Sequence, residues 1–403
     1  MQTDKILSKP INVGFFHIMR ENFSGAQKNI FRLLINLDIK EINPILLGQS
    51  ESPLTKKVKK KEIKTLIVPF PPGLSVFDQK ILKFNPSRLF NFIKGIISYN
   101  KKLIDEYRDL KLDVIWCDNI RTFVTIYFAC KSLKVKIIWN VWSEPKGKVA
   151  WVLHRIGLFM TDSVNVEYNG QQKKIFGSLA KFPSLDKKIF PLYTGVSDFD
   201  DFKDSNIRSE LSLKKESILV VMASNIVPGK GQIDLIKCIK DLRNQFPNLN
   251  LLLAGAAVTS SQESLSYLEE LKDYVKKHDL YNFIHFIGWR NDIRDIYKMS
   301  DIYVSTSYSE SFPDAVREAM LESLPVIVTN VGGTRELVDE EENGYLFQPG
   351  DIINLTKSLK KLIFDPELRK KMGLKSRKII DDRFSTKAYA RNFEDMLKKT
   401  INS

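Results

Sequence analysis

Short β-branched or aromatic runs alternate with segments of helical periodicity along the whole chain. In the first half the runs are INVGFF (11–16), NPILLG (43–48), TLIVPF (65–70), DVIWCD (113–118), KIIWNV (136–141) and SVNVEY (163–168). Between them lie helical patterns such as SGAQKNIFRLLINL (24–37). A second series runs through SILVVMAS (217–224), NLLLAGA (250–256), FIHFIG (283–288), DIYVSTS (301–307) and PVIVTN (325–330). Such alternation predicts parallel sheets, because neighbouring parallel strands need a crossover long enough to hold a helix. The segment between the series, IFPLYTGVSDFDDFKDSN (189–206), is polar and turn-rich and reads as a linker. The pattern predicts two similar α/β domains with a cleft between them, over 1–195 and 196–383. The remainder, 384–403, is a last amphipathic helix packing back on the first domain.

Length agrees with this division, since 403 residues exceed one ordinary core. The 43% hydrophobic and 27% charged residues describe a globular chain, and no apolar run reaches the ~18–20 residues of a membrane span. The N-terminus has no cleavable apolar region, and Cys117, Cys130 and Cys238 show no paired spacing. That predicts reduced thiols, no zinc site and a cytoplasmic setting. Charge is uneven: residues 1–200 hold 32 Lys and Arg against 18 Asp and Glu, whereas 201–403 hold 30 of each. The first half is expected to face an anionic surface. Within it, LTKKVKKKEIK places six lysines between 56 and 64. The stretch 86–108 carries apolar residues at 89, 93, 96, 97, 103, 104 and 107, which a helix packed on the sheet would explain. Nucleic acid is not expected as a partner, for no reader helix, stacking-aromatic motif or zinc module is present.

Candidate chemistry concentrates in the second half. The stretch SESFPDAVREAMLESLPVIVTNVGGTRELV (309–338) sets Glu310 in a loop and Glu318 on a helix. Pro313 suits the first helical turn. Free N–H groups at that helix start would favour an anion, and a nearby carboxylate would accept bonds from sugar or ribose hydroxyls. Read alone, Asp314 and Glu318 serve equally well as helix-stabilising acids, with Glu318 beside Glu322's neighbours in solvent. A second element, VMASNIVPGKGQIDLIKCIKDL (221–242), places Lys230 and Gly231 at a strand-to-helix turn, where a flexible point charge suits a diphosphate. The spacing of a P-loop is absent.

Taken in order, PGKG, LLLAG, FIHFIGW, SDIYVSTS, SESFPDAVREAM, PVIVTNVGGTRELV and NGYLFQPGD resemble the retaining glycosyltransferases of family four. The resemblance is dense from about 217 to 385. It is thinner in the first half, where FFHIMRENFSGAQKNIFRLL looks like that family's glycine loop and YTGVSDF like its linker. It implies a GT-B fold of two Rossmann-like domains, with a nucleotide-sugar (UDP- or GDP-linked) held by the C-terminal one. By that resemblance Glu318 would hold the ribose hydroxyls and Glu310 the donor sugar, oriented by amides around Ser311 and Phe312. Lys230 would neutralise the diphosphate, and Gly25 would let the first-domain loop approach it. Gly332 and Gly333 would form a tight turn beside the donor, and backbone near Phe286 to Gly288 would read the base. No metal or other cofactor is implied.

The chain departs from the family in three places. Asn225 stands where an arginine is usual. WNVWSEP offers Trp142 or Ser143 where many members carry a histidine, and Thr194 replaces the linker asparagine. Glu144 is a candidate to position or deprotonate an acceptor hydroxyl, with Trp142 beside it, although a solvated loop acid accounts for it as well. Asp198, Phe199 and Asp200 look like a DxD metal motif, but they lie in the linker and not at a strand end. His17, His154, His278 and His285 show no ligand spacing, and His285 reads as structural. The expected function is retaining sugar transfer to a lipid-linked or surface-polysaccharide glycan, by a cytoplasmic enzyme peripheral at the inner face of the cell membrane. The alternatives are a protein or soluble sugar acceptor, or a non-catalytic GT-B protein that binds nucleotide-sugar.

Overall fold

A computed structural model describes residues 9–19, 25–71, 74, 86–142, 144–145, 147–196 and 206–402, without the side chains of 86–89. The chain divides into two compact units, Met1–Gly195 with Tyr389–Ser403, and Val196–Ala388.

The first unit is built on β1 (Ile11–Phe16), β2 (Ile42–Gly48), β3 (Lys64–Ile67), β4 (Val114–Cys117), β5 (Lys136–Val141), β6 (Ser163–Val166) and β7 (Ile189–Pro191). They form one parallel sheet in the order β3-β2-β1-β4-β5-β6-β7, so the winding reverses between β1 and β4. Alternate side chains enter separate cores. Phe16, Ile115, Cys117, Ile137, Trp139 and Val164 pack with α3 (Pro86–Arg108), α4 (Ile120–Ser132) and α5 (Lys148–Met160). Val13, Phe15, Trp116 and Ile138 pack on the other face with α1 (Gly25–Leu34), α2 (Pro53–Lys59) and the last helix, Thr386–Asn402. That helix buries Tyr389, Phe393, Met396 and Leu397, and Lys136 Nζ donates to its terminal carbonyls at Thr400 (2.8 Å) and Ile401 (3.1 Å). A cation on orphan carbonyls is the favourable way to end a helix.

The second unit carries β8 (Ile218–Ala223), β9 (Leu249–Ala254), β10 (Ile284–Gly288), β11 (Ile302–Ser305), β12 (Val326–Thr329) and β13 (Gly344–Phe347). All are parallel, in the order β10-β9-β8-β11-β12-β13, with the reversal between β8 and β11. Near-continuous apolar runs such as VIVT suit strands covered on both faces.

Three expectations change. The segment read wholly as linker begins with β7, whose three residues pair with β6. The apolar stripe of α3 is only partly internal: Ile96, Leu103 and Tyr107 are buried, but Ile93 and Ile97 face solvent, as does Phe90. Three lysines of the run, Lys56, Lys57 and Lys59, lie on α2, whose Leu54 and Val58 anchor it to the core opposite α3–α5; Lys60 and Lys61 follow in a turn and Lys64 opens β3. One of its lysines, Lys59, pairs with Glu51 at 2.5 Å.

Candidate functional site

Two loops leave the second sheet where its winding reverses, and each carries one of the charged residues singled out above. After β8 the chain makes a single 3-10 turn, Pro228–Lys230, and enters the helix Gln232–Leu242 through Gly231. Gly231 has φ +66°, and a Cβ there would lie 2.4 Å from the Thr306 carbonyl oxygen, so only glycine fits. The Thr306 hydroxyl donates to the Gly231 carbonyl at 2.8 Å, and the Tyr308 amide donates to the Gly229 carbonyl at 2.9 Å. Gln232, buried, donates to the carbonyl of Asn225 (2.9 Å) and the hydroxyl of Ser224 (3.0 Å). These bonds fix the β8 loop against the loop that follows β11.

The result brings the two candidate catalytic residues together. Lys230 Nζ lies 2.5 Å from Glu310 Oε1, in a pair that is mostly shielded from water. Glu310 is held from the other side by the glycine pair after β12. Gly332 has φ +54°, and a Cβ on it would stand 1.9 Å from the Glu310 carbonyl oxygen; the Gly333 amide donates to the Ser311 carbonyl at 2.7 Å. The Thr329 hydroxyl donates to the Ser307 carbonyl at 2.7 Å and ties the same two loops once more.

Pro313 is not in the first helical turn. With ψ 121° it is the cap of the helix Asp314–Leu321, because the chain still runs extended there. Phe312 is buried, its ring between the Arg317 guanidinium (4.5 Å) and the Phe384 ring (5.4 Å), which pins the helix entry. Arg317, itself buried, also bonds Asp314, so that acid serves the helix and its neighbour. The Glu322 carboxylate forms a buried pair with Arg294. Glu318 is half-buried on the same helix. On β11, burial raises the pKa of the Tyr303 hydroxyl, and the charges of Glu310 and Glu318 raise it further.

Other backbone features line the same sheet edge. Gly288 ends β10 with φ +67° and open space where a Cβ would be. Its carbonyl accepts from the Gly255 amide at 2.8 Å, and Gly255 (φ +140°) would drive a Cβ to 1.9 Å from the Ser224 carbonyl oxygen. Sequence reading named no role for Gly255; the glycine directly after an apolar strand was the available signal. Nor did it notice that the Tyr308 hydroxyl donates to Asp234 at 2.8 Å. Asn225 is exposed, and His285 bonds Asn250 within the sheet, as a structural histidine would.

The first unit holds the other named residues. Gly25 is the exposed first residue of α1, and 20–24 before it lie outside the described residues. Trp142 follows β5, its ring 6.0 Å from that of Trp116. Glu144 accepts from Tyr168 (3.2 Å) and pairs with Lys174 (3.1 Å). Ser143 and the DxD-like Asp198–Asp200 stretch lie outside the described residues. No spacing along the chain pointed to the meeting of His17 Nδ1 with Asp118 Oδ2 at 2.5 Å, both buried where β1 and β4 end. The remaining ring nitrogen, Nε2, has no hydrogen-bond partner among the described residues.

A carboxylate, an ammonium, positive-φ glycines and a helix start at a winding reversal form the place where open parallel sheets bind phosphorylated ligands. Residues 203–379 match the family described as glycosyl transferases group 1. An uncharacterized glycosyltransferase of Haemophilus influenzae is 26% identical over 76% of this chain and 82% of its own length. The Staphylococcus aureus capsular polysaccharide biosynthesis glycosyltransferase CapM is 27% identical over 62% of this chain and 64% of its own. Among solved structures, Anabaena HepE in complex with UDP superposes with a TM-score of 0.76 at 18% identity, covering 96% of this chain and 100% of that one.

Proposed function

We propose that this chain, a group 1 glycosyltransferase of the GT-B fold, moves a sugar from a nucleotide diphosphate to an acceptor hydroxyl with retention of anomeric configuration. The observation that carries the site assignment is the Lys230–Glu310 pair at the β8/β11 reversal. Without a ligand the two charges satisfy one another. A bound donor would replace that pair with two better-matched contacts, the ammonium on the diphosphate and the carboxylate on a sugar hydroxyl. Glu318, further along the helix, takes the ribose hydroxyls. Ser311 and Phe312 contribute backbone amides at the helix entry.

In the reaction, charge builds on the departing diphosphate while the sugar becomes oxocarbenium-like. Fixed donors aimed at that charge supply most of the acceleration. Lys230 and the amides before Ala315 fill that role, and Asn225 leaves it with one cation fewer than an arginine would give. No covalent nucleophile is assigned, because the two carboxylates are committed to different parts of one donor. The acceptor is a lipid-linked or surface-polysaccharide glycan at the cytoplasmic face of an anionic membrane, a reading supported by the name of the CapM relative and the excess of cations in residues 1–200.

Calorimetric titration with UDP- and GDP-sugars, followed by proton NMR of the product's anomeric signal, tests the proposal. UDP-sugars are the first choice, since HepE was solved with UDP. An inverted anomer would remove retention; no binding of any nucleotide-sugar would remove the assignment of the site.

A further inference from the structure

Helix α5 is built inside out. Its inward face is His154, Gly157 and Leu158, with Gly157 held so close to Trp139 that a Cβ would meet the ring at 2.8 Å. Its outward face is Val149, Val152, Leu153, Ile156 and Phe159, spaced at three and four residues and all exposed; Phe159 is 58% and Val149 56% accessible. A surface helix normally turns such a stripe toward the core. Gly157 lets α5 lie close to the sheet, and the apolar stripe is left for something else. The exposed apolar residues continue on the same side of the sheet. Phe128 projects from α4, which packs beside both α3 and α5, and Phe90, Ile93 and Ile97 project from α3. Exposed apolar side chains gathered on neighbouring helices of one face mark a contact site.

The charges nearby select the partner. Helix α5 contains Lys148 and Arg155 and no acid, with Arg155 lying over the Trp151 ring. Residues 120–188, which include α4 and α5, hold twelve Lys and Arg against four Asp and Glu. An apolar helix face set among cations fits the interface of an anionic bilayer, where the stripe enters the acyl boundary and the lysines remain among the headgroups. At 13 residues α5 is too short to span, and among the described residues no helix is long and apolar enough to cross a membrane.

We propose that the outward face of α5, extended by Phe128 and the exposed side of α3, is the surface by which this protein lies on anionic phospholipid. The proposal deepens the membrane-facing acceptor reading above and rests on it, but it moves the contact. The run begins on α2, with Lys56, Lys57 and Lys59, and α2 packs on the opposite face of the first unit's sheet from α5. Those lysines are therefore not the docking element.

Full-length protein is sedimented with phosphatidylcholine vesicles and with vesicles containing phosphatidylglycerol. The expected result is pelleting with the anionic vesicles only, and a blue shift of tryptophan emission that Trp151→Phe diminishes. Ile156→Glu with Phe159→Glu should weaken binding by at least tenfold, from the burial worth of two large apolar side chains. Neutralising Lys56, Lys57 and Lys60 should change it little. Circular dichroism and donor titration check that each variant is folded with its donor site intact, so that failure here is separable from failure of the transferase reading. Equal pelleting of the double variant, or no binding of the parent to anionic vesicles, overturns the proposal. Self-association seen by light scattering and lost in the double variant, without vesicle binding, overturns it in favour of a second copy.

Discussion

Gly332→Ala would strike the candidate site without touching any charged group. The backbone there has φ +54°, which costs a residue with a Cβ about 1–2 kcal/mol. The new Cβ would also stand 1.9 Å from the Glu310 carbonyl oxygen and 2.8 Å from that of Ser311. Backbone cannot yield as a flexible side chain does, so the 310–311 loop must move by about 1 Å. The Gly333-to-Ser311 bond, worth about 1 kcal/mol net, would be strained or lost. Together these predict about 2–3 kcal/mol of destabilisation, a fall in melting temperature of roughly 4–12 °C for a unit of this size. Because Glu310 rides on the displaced loop, turnover should fall by about 100-fold, the scale of a 1 Å misplacement of a reacting group. Gly288→Ala is the control for stability: its φ is +67°, but a Cβ there meets nothing within 4 Å, so only the conformational cost applies. Differential scanning fluorimetry on the two variants and initial-rate assays on Gly332→Ala decide the matter. A Gly332→Ala protein that melts within a degree of the parent and turns over normally would refute the packing described here.

Three further outcomes are expected. A double-mutant cycle of Lys230→Met and Glu310→Gln should show about 1–2 kcal/mol of coupling in unliganded stability, and titration with saturating donor should reduce it as each partner turns to the ligand. Arg294→Met should cost about 3–5 kcal/mol by chemical denaturation, since it strands the Glu322 carboxylate in a buried position; replacing both should recover much of the loss. His154 and His285 both have pKa values lowered, by desolvation, from 6.5. The unfolded chain therefore binds more protons below about 6.5, and stability should decline as pH falls from there through the lower folded values. Denaturant melts of His285→Asn should show a shallower decline over that window.

The sheets were legible because each strand is a short apolar run bounded by turns, and two parallel sheets are what that alternation requires. Three-residue β7 was hidden by Pro191 and the turn residues after it, which resemble a linker at any reading of composition. β13 is four residues long and lay inside a stretch read only for its resemblance. In the candidate site, the identities of Glu310, Glu318 and Lys230 stood out, but their meeting did not. Lys230 and Glu310 are 80 residues apart, and only the β8/β11 reversal joins them. The same holds for His17 and Asp118, 101 residues apart at the other reversal. Periodicity reported that helices such as α3 have an apolar side; it does not say which way that side turns. Helix α5 shows why, since Gly157, which lets it approach the sheet, carries no hydrophobic signal of its own.

The central claim is that the edge bearing Glu310, Glu318 and Lys230 holds a nucleotide-sugar. Calorimetric titration of a UDP-sugar into the parent, Glu318→Ala and Glu318→Gln tests it most directly. The account predicts saturable binding to the parent at one site and a loss of at least tenfold in both variants, about 1.4 kcal/mol or more, with folding unchanged. Equal affinity in all three would contradict it.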